Sequence, residues 1–433
     1  MNKFKETEMG NIPGDWGVSL VEEVAQINEL SIGKSFKYDE IEYIDIESVE
    51  NGNIFPPKKM RLSEAPSRAK RIVRNHDILI STVRPNLKHF AFVKSAKSNT
   101  IASTGFVVIS PTKIEPMFLY YCLTTERYTN HLSGIADSHT STYPSFNPDI
   151  IQTSRIPNPP LSEQRAIAKI LSDLDAKIEL NNQMNKTLEE MAQAIFKHWF
   201  VDFEFPNEAG KPYKSSGGKM VDSELGAIPK GWNVVRLSEH ISFNRGCAYT
   251  SEGLQESENA LVTLKSIERG GGFKADGFKP YMGNYKSQHI VKNGDIVVAH
   301  TDLTQNAEVL GKPAIVREIS DYKKLIASMD LGIVRPNNES ISGSYLYYLL
   351  KTDSFQNHAY GYASGTTVLH LSSKAIPGFV FVLPQKENIQ HFSNIAENII
   401  RKIQQNFFEA ERLIEVRDSL LPRLMSGKIR VSV

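Results

Sequence analysis

The sequence predicts an α+β protein built as an internal tandem repeat, with two similar globular domains separated by two long antiparallel coiled-coil helices. Three observations carry this. Segments of the first half return in the second half in the same order. Strand-like segments broken by Gly, Pro, Asn and Asp fill each half. Each half then ends in a long stretch whose apolar residues recur at alternating three- and four-residue steps. At 433 residues the chain is also too long for one ordinary core.

Gly10-Asn11-Ile12-Pro13-Gly14-Asp15-Trp16 recurs as Gly226-Ala227-Ile228-Pro229-Lys230-Gly231-Trp232, with Gly, Ile, Pro and Trp at the same spacing. His76–Ile80 returns as Gly294–Val298, and Ile101-Ala102-Ser103 as Ile326-Ala327-Ser328. The densest match sets Phe118–His131 against Tyr345–His358. There Leu119, Tyr120, Tyr121, Leu123, Thr125, Asn130 and His131 are each identical to the residue 227 positions later. The offset grows from 216 at Gly10/Gly226 to 227 at Phe118/Tyr345, so loops differ while the framework is shared.

Within each copy, strands are expected at Ile41–Ile46, Asp77–Ser81 and Phe106–Ile109, and one helix at about Pro116–Thr129. After Pro159-Pro160-Leu161 a long helix is expected, with Ser162 as its N-cap and Glu163 in its first turn. Its seam is Ile167, Leu171, Leu174, Ile178, Leu188, Ile195 and Trp199, interrupted by polar Asn181 and Asn185. Asn at such positions costs stability and fixes register. From Ser162 to Phe200 such a helix would run about 58 Å. The second copy repeats this after Pro384, with a seam of Ile395, Ile399, Ile403, Ala410, Leu413, Leu420 and Leu424. Two such helices in one chain should pair antiparallel, with a lobe at each end of a rod. The expected domains are 1–158, a first long helix 159–202, a linker 203–225, 226–384, and a second long helix with its tail 385–433.

Composition is that of an ordinary soluble protein, 40% hydrophobic and 23% charged. No apolar run reaches the ~20 residues of a membrane span, and the first residues lack the apolar core of a secretory signal, so a cytoplasmic location is expected. The two cysteines, Cys122 and Cys247, are far apart and form no C-x-x-C pair. Structural zinc and a disulfide framework are therefore not expected, and the thiols read as packing residues. Net charge is only +1, yet between Lys58 and Lys97 eleven cations face two acids, Glu64 and Asp77. Such clustering is the footprint of a polyanion partner, although many solvated faces are also basic.

Catalytic motifs fail on inspection. Asn158-Pro159-Pro160-Leu161 is like the Asn-Pro-Pro-Tyr loop of amino-methyltransferases, but lacks the aromatic that stacks on a target base, and no Gly-rich cofactor loop precedes it. Pro148-Asp149 with Asp175-Ala176-Lys177 mimics a Mg²⁺ nuclease, but Asp175 and Lys177 fall in the heptad helix. There is no G-x-x-x-x-G-K-[ST], G-x-S-x-G or H-E-x-x-H, and the eleven histidines form no ligand-spaced cluster. No enzyme activity, metal or cofactor is expected in this chain.

Recognition surface remains. The cations Lys58, Lys59, Arg61, Arg68, Lys70 and Arg71, and the loop residues Arg84, Asn86, Lys88 and His89, suit phosphates and base edges. The loop equivalent to Thr82–His89 in the second copy is His300–Asn306, offering Thr301, Thr304, Gln305 and Asn306 in place of the cations. The loops are matched in place and different in chemistry, as two sites reading different sequences require. A second matched pair is Gly134–Thr140, with His139 and Thr140, and Gly361–Thr367, with Gly365, Thr366 and Thr367. Small and hydroxyl residues there let a backbone approach DNA closely. Arg245 and Lys265 complete the candidate DNA-binding set. The alternative for any one of these is a plain solvated loop.

The chain resembles the specificity subunits of type I restriction–modification enzymes over nearly its whole length. The markers are Pro160–Ala168 (PLSEQRAIA), Phe196–Phe203 (FKHWFVDF), Glu224–Trp232 (ELGAIPKGW) and Leu420–Ile429 (LLPRLMSGKI). It departs at the second helix entry, where Gln385–Gln390 keeps the preceding proline but not the Ser-Glu-Gln-Arg wording. The resemblance implies two target recognition domains, each reading one half of an asymmetric bipartite DNA site. It implies helices that set the gap and dock two modification subunits, with two restriction subunits joining the full assembly. S-adenosylmethionine, ATP and Mg²⁺ would sit on those partners. The rival reading is a protein-binding scaffold without DNA readout.

Overall fold

A computed structural model describes the chain except residues 1–3, 9, 35, 140–142, 275–276, 304–306, 320–321 and 432–433, and describes the backbone alone of His139. The chain forms two compact units, Met1–Leu180 with Glu409–Val433, and Asn181–Phe408.

In the first unit a hairpin of Phe4–Thr7 and Gly10–Pro13 precedes two four-stranded sheets. The inner sheet runs Phe90–Phe92, Ile78–Ser81, Phe106–Pro111, Ala25–Ile27, all antiparallel. The outer sheet runs Lys58–Arg61, Glu40–Ile44, Thr100–Ser103, Ala69–Ile72, and its central pair is parallel. Side chains alternate across a strand, so one apolar run serves two cores. Ile78 and Ile80 pack with the helical residues Phe118 and Leu119, while Leu79 faces Ile44 and Ala102 of the outer sheet.

The second unit repeats this order. Its hairpin is Met220–Ser223 with Gly226–Pro229. Its inner sheet is Pro313–Ile315, Ile296–Ala299, Leu331–Pro336, Ile241–Arg245. Its outer sheet is Lys279–Pro280, Asn259–Val262, Lys324–Ala327, Ile290–Val291, again with a parallel central pair. Met220 thus takes the place of Phe4, and the stretch 203–225 ends in a strand of the second copy rather than in plain connecting chain.

Where one lobe helix was expected, there are two: Pro116–Leu123 and Glu126–His139, matched by Gly343–Leu350 and Asp353–Gly361. The break has a cause. The Thr124 hydroxyl donates to the Tyr120 carbonyl at 2.8 Å, and Thr125 accepts from the Tyr128 amide at 3.2 Å as an N-cap. Thr352 caps the second copy in the same way, so the Thr125/Thr352 identity is a capping requirement. Gly134–His139 is helical in the first copy.

The long helices are Leu161–Phe196, continued by a π-turn Lys197–Val201, and Lys386–Met425. The first begins one residue earlier than expected: the Pro160 carbonyl accepts from the Glu163 and Gln164 amides. Ser162 is therefore an exposed first-turn residue and not the cap, because proline's fixed φ already suits a helix entry. In the first unit Ile167 and Leu171 are buried and Leu174 and Ile178 half-buried, with Leu413 and Leu420 half-buried and Leu424 buried on the other helix. Ion pairs Asp175–Arg417 and Lys177–Glu409 set the helix portions there antiparallel. In the second unit Leu188, Ile195, Trp199 and Ile399 are half-buried and Ile403 is buried. Asn185 accepts a hydrogen bond at 3.0 Å from the buried Asn406, a seam residue that apolar spacing could not reveal. Ile395 is corrected. It is 37% exposed, and the buried stripe passes through Phe392 and Ala396, because 3.6 residues per turn carries 395 onto the neighbouring face.

Candidate nucleic-acid interface

Two of the sequence markers, Pro160–Ala168 and Leu420–Ile429, meet the first Ile-Pro-x-x-Trp segment at one corner of the first unit. Glu163, almost fully buried, accepts from the Trp16 indole at 3.0 Å and from the Arg430 guanidinium at 2.7 and 3.0 Å. Arg430 also forks onto Asp15 at 2.9 and 3.0 Å, and its guanidinium lies 5.7 Å from the Trp16 ring centre. Gln164, also buried, donates to Asn158 and Pro159 and accepts from the Glu115 amide. Gly427 has φ 66, and a Cβ there would come within 2.4 Å of Pro13. The Ser-Glu-Gln-Arg, Ile-Pro-x-x-Trp and Gly-Lys-Ile-Arg signatures are therefore one structural joint.

The first lobe displays its cations on the outer sheet. Lys58, Lys59 and Arg61 line one edge strand of the outer sheet, and Lys70 and Arg71 the opposite edge. Several are already engaged. Lys58 pairs with buried Asp45, which also accepts from the Ser48 hydroxyl and amide. Burial pushes the Asp45 carboxyl up, but those bonds outweigh it and hold the group below its usual value; the same pairing raises Lys58. Arg68 donates to the Tyr43 hydroxyl at 3.2 Å and Arg71 to Ser31 at 3.4 Å. Among the described residues, the side chains of Lys59, Arg61, Lys70 and Lys94 make no hydrogen bond or ion pair, so their charge is available to a phosphate.

The fold brings the two matched segments of each lobe together. In the first, Val83 bridges Ser145, and the Arg84 amide donates to Pro144. Arg84 and Lys88 flank the short turn Pro85–Leu87 and both hold left-handed φ, 48 and 55. Such strain in non-glycine residues, about 1–2 kcal/mol each, persists only where surroundings impose it. It leaves Arg84 and Asn86 exposed, with the guanidinium 5.4 Å over Tyr143, an aromatic that sequence spacing did not single out. Lys88 is paired with Glu126 at 2.8 Å, and His89 Nδ1 lies 2.5 Å from the Val49 carbonyl, so both are partly committed.

In the second lobe Thr301-Asp302 joins Ala363-Ser364 and Leu369–Leu371 in a three-stranded sheet. Thr301 is buried, which corrects its reading as a surface contact: its strand pairing with His370 turns it inward. Buried Asp302 accepts from the Val309 and Leu310 amides at 2.7 and 2.9 Å. His300 is buried and stacks on Phe243; burial first, then the Arg245 charge, lowers its pKa to about 4, so it is neutral at physiological pH. Arg245 itself is exposed and donates to the Met329 carbonyl. Lys265 is exposed, as are Thr366 and Thr367 at the hairpin tip. Gly365 holds φ 112, where a Cβ would come within 2.0 Å of the Val368 carbonyl. Thr140, Thr304, Gln305 and Asn306, and the His139 side chain, lie outside the described residues.

Asp175 of the nuclease look-alike is engaged structurally. Asp175 accepts from Tyr121 at 2.6 Å and from Arg417 at 2.9 Å. Asn158 of the Asn-Pro-Pro-Leu segment donates to Ser19. Both cysteines are buried, and burial pushes the Cys122 thiol well up. Among the described residues no helix is long and apolar enough to cross a membrane.

Residues 13–190 match the type I restriction modification DNA specificity domain. The chain is 26% identical over 448 residues to the type I restriction enzyme HindI specificity subunit of Haemophilus influenzae, covering 90% of this chain and 95% of that protein. It is also 26% identical to the MjaIX specificity subunit of Methanocaldococcus jannaschii, covering 99% and 97%. A crystal structure of the S subunit of a type I restriction–modification system from M. genitalium shares the fold, with TM-score 0.54 at 16% identity over 98% of this chain and 99% of that one.

Proposed function

We propose that the chain is a specificity subunit of a type I restriction–modification enzyme and supplies the DNA address of such a complex. Each lobe reads one half of an asymmetric bipartite site. One observation carries this reading: the two lobes share sheet order and register but differ at the matched loops, where the first exposes Arg84 and Asn86 and the second turns Thr301 and Asp302 inward. Equal scaffolds with unequal tips are what two readers of different half-sites need. Exposed cations of the first lobe supply phosphate contacts and make binding steeply salt-dependent.

The long helices set the gap between half-sites and dock two modification subunits, with two restriction subunits joining the full assembly. Those partners carry S-adenosylmethionine, ATP and Mg²⁺, and methylate adenine. This chain contributes no catalytic group of its own; the engagement of Asp175 with Tyr121 and Arg417 supports that division. The test is co-expression with the modification subunit and mapping of N6-methyladenine on the host DNA. A single split asymmetric motif that vanishes with this gene supports the reading. A stable complex without methylation turns it toward a protein-binding scaffold.

A further inference from the structure

Strand register reveals an equivalence that sequence identity hides. In the outer sheet of the first lobe, Ile101 pairs with Tyr43, and Tyr43 with Lys58 on the edge strand. In the second lobe Ile326, the counterpart of Ile101, pairs with Leu261, and Leu261 with Lys279. Directly opposed residues share a sheet face. Lys58 and Lys279 therefore hold the same place, on the face that carries Ile41, Tyr43 and Ile101 in one lobe and Leu261 and Ile326 in the other.

Beside Lys279 opens a cavity of about 440 Å³ lined by Tyr249, Glu252, Gln255, Tyr281, Met282 and Asn284 among others. Lys279 Nζ stands 5.3 Å over the Tyr249 ring and donates to its hydroxyl at 3.4 Å. Tyr281 is buried, and its hydroxyl donates to the Asn284 carbonyl at 3.1 Å. Gly253 and Gly283 press on this side chain, where a Cβ would come within 2.8 Å of its ring and 2.4 Å of its hydroxyl, so this wall is built closely. At the mouth Glu252, Gln255 and Asn284 are exposed, and Met282 is 65% exposed. Among the described residues the Glu252 and Asn284 side chains make no hydrogen bond.

This is base-edge chemistry beside a phosphate contact. Amides match the N6 and N7 of adenine, a carboxylate accepts from cytosine N4, and an apolar side chain meets the thymine methyl. A carboxylate at the mouth repels a phosphate, whereas Lys279 at its side attracts one. Among the described residues of the matched loop in this lobe, the polar side chains of Thr301 and Asp302 are buried. Resting on the DNA-reading function above, we propose that this face of the outer sheet is the DNA-facing surface of each lobe. Lys58, once it exchanges its pairing with Asp45 for the backbone, and Lys279 are equivalent phosphate contacts, and Glu252, Gln255 and Asn284 read base edges in the second lobe's half-site.

The test uses the full chain co-produced with its modification subunits. N6-methyladenine is mapped for the parent and for Glu252→Gln, Gln255→Ala and Asn284→Ala, and DNA affinity is measured against salt for Lys58→Ala and Lys279→Ala. The mouth variants should change or relax positions within one half-site only. Each lysine variant should bind several-fold more weakly on every sequence, with a salt slope shallower by about 0.9. A mouth variant that retains the parent's unfolding midpoint and the unchanged motif overturns the inference, as does a change spread over both half-sites. Unaltered salt slopes overturn the phosphate assignment. A parent that yields no split motif refutes the DNA-reading function instead, so the two failures are distinguishable. If Asn284→Ala fails to fold, Glu252→Gln, on an exposed side chain, decides.

Discussion

Replacing Arg430 with Ala tests the joint that ties the chain's tail to its first lobe. The guanidinium makes two bonds to Glu163 and two to Asp15. Its loss leaves the Glu163 carboxylate, 4% exposed, with the Trp16 indole as its remaining donor in this joint. Stripping a buried charge of its partner costs roughly 3–5 kcal/mol. Arg430 is itself 30% exposed, so water reaches part of the gap, and about 2–3 kcal/mol is the expected loss. For a unit of this size that lowers the unfolding midpoint by roughly 5–10 °C. Thermal unfolding followed by tryptophan fluorescence measures it. Glu163→Gln keeps a neutral acceptor for Trp16 and should cost less. The sign with pH is fixed: Arg430 holds the Asp15 carboxyl below its usual value, so that contribution is present at neutral pH and lost as pH falls below about 4. Arg430→Ala should abolish this acid sensitivity. A midpoint within about 1 °C of the parent would refute the reasoning.

Arg84→Ala with Lys88→Ala should relax one half-site and leave the other intact, read by methylation mapping; equal loss at both sinks the two-reader model. Removing seven residues from each long helix, centred near Asn181–Asn185 and its partner turns, withdraws about 10 Å of helix and should shorten the preferred gap by about three base pairs; an unchanged gap removes the ruler. Gly365→Ala must adopt φ 112 and meet the Val368 carbonyl. It should cost about 1–3 kcal/mol, disturbing the hairpin and one half-site while the inner-sheet amides keep their hydrogen-exchange protection. Global unfolding by this variant would mean that the hairpin belongs to the core.

The fold was largely legible because strands and helices impose periods that sequence records. The short apolar run Ile78-Leu79-Ile80, buried on both faces of its strand, and the three–four spacing from Ile167 to Trp199 both follow from backbone geometry. What sequence could not show depends on partners distant in the chain. Glu163 reads as a helix-dipole residue until Trp16 and Arg430 are seen on its two oxygens. Thr301 reads as a surface donor until its pairing with His370 turns it inward. Lys279 carries no local signal, and only its register opposite Leu261 identifies it with Lys58.

The ends of the two long helices show why identity searches stop short of the full symmetry. Phe203 and Gly427 both hold left-handed φ, 64 and 66, just past a helix end. Phe203 needs a different offset from the residues before it because the π-turn Lys197–Val201 winds in one extra residue. Once that residue is counted, the two exits correspond, and each delivers the following chain onto a tryptophan. Phe203 and Phe205 pack on Trp232, while Gly427 and Arg430 close on Trp16. The contact chemistry differs, aromatic stacking in one unit and a guanidinium fork in the other, so no residue-by-residue comparison could pair them. The second lobe is thus closed by chain that follows the first helix, and the first lobe by chain that follows the second. A lobe without the opposite copy's helix exit lacks the cap on its tryptophan, which makes the tandem repeat interdependent rather than two domains strung in series.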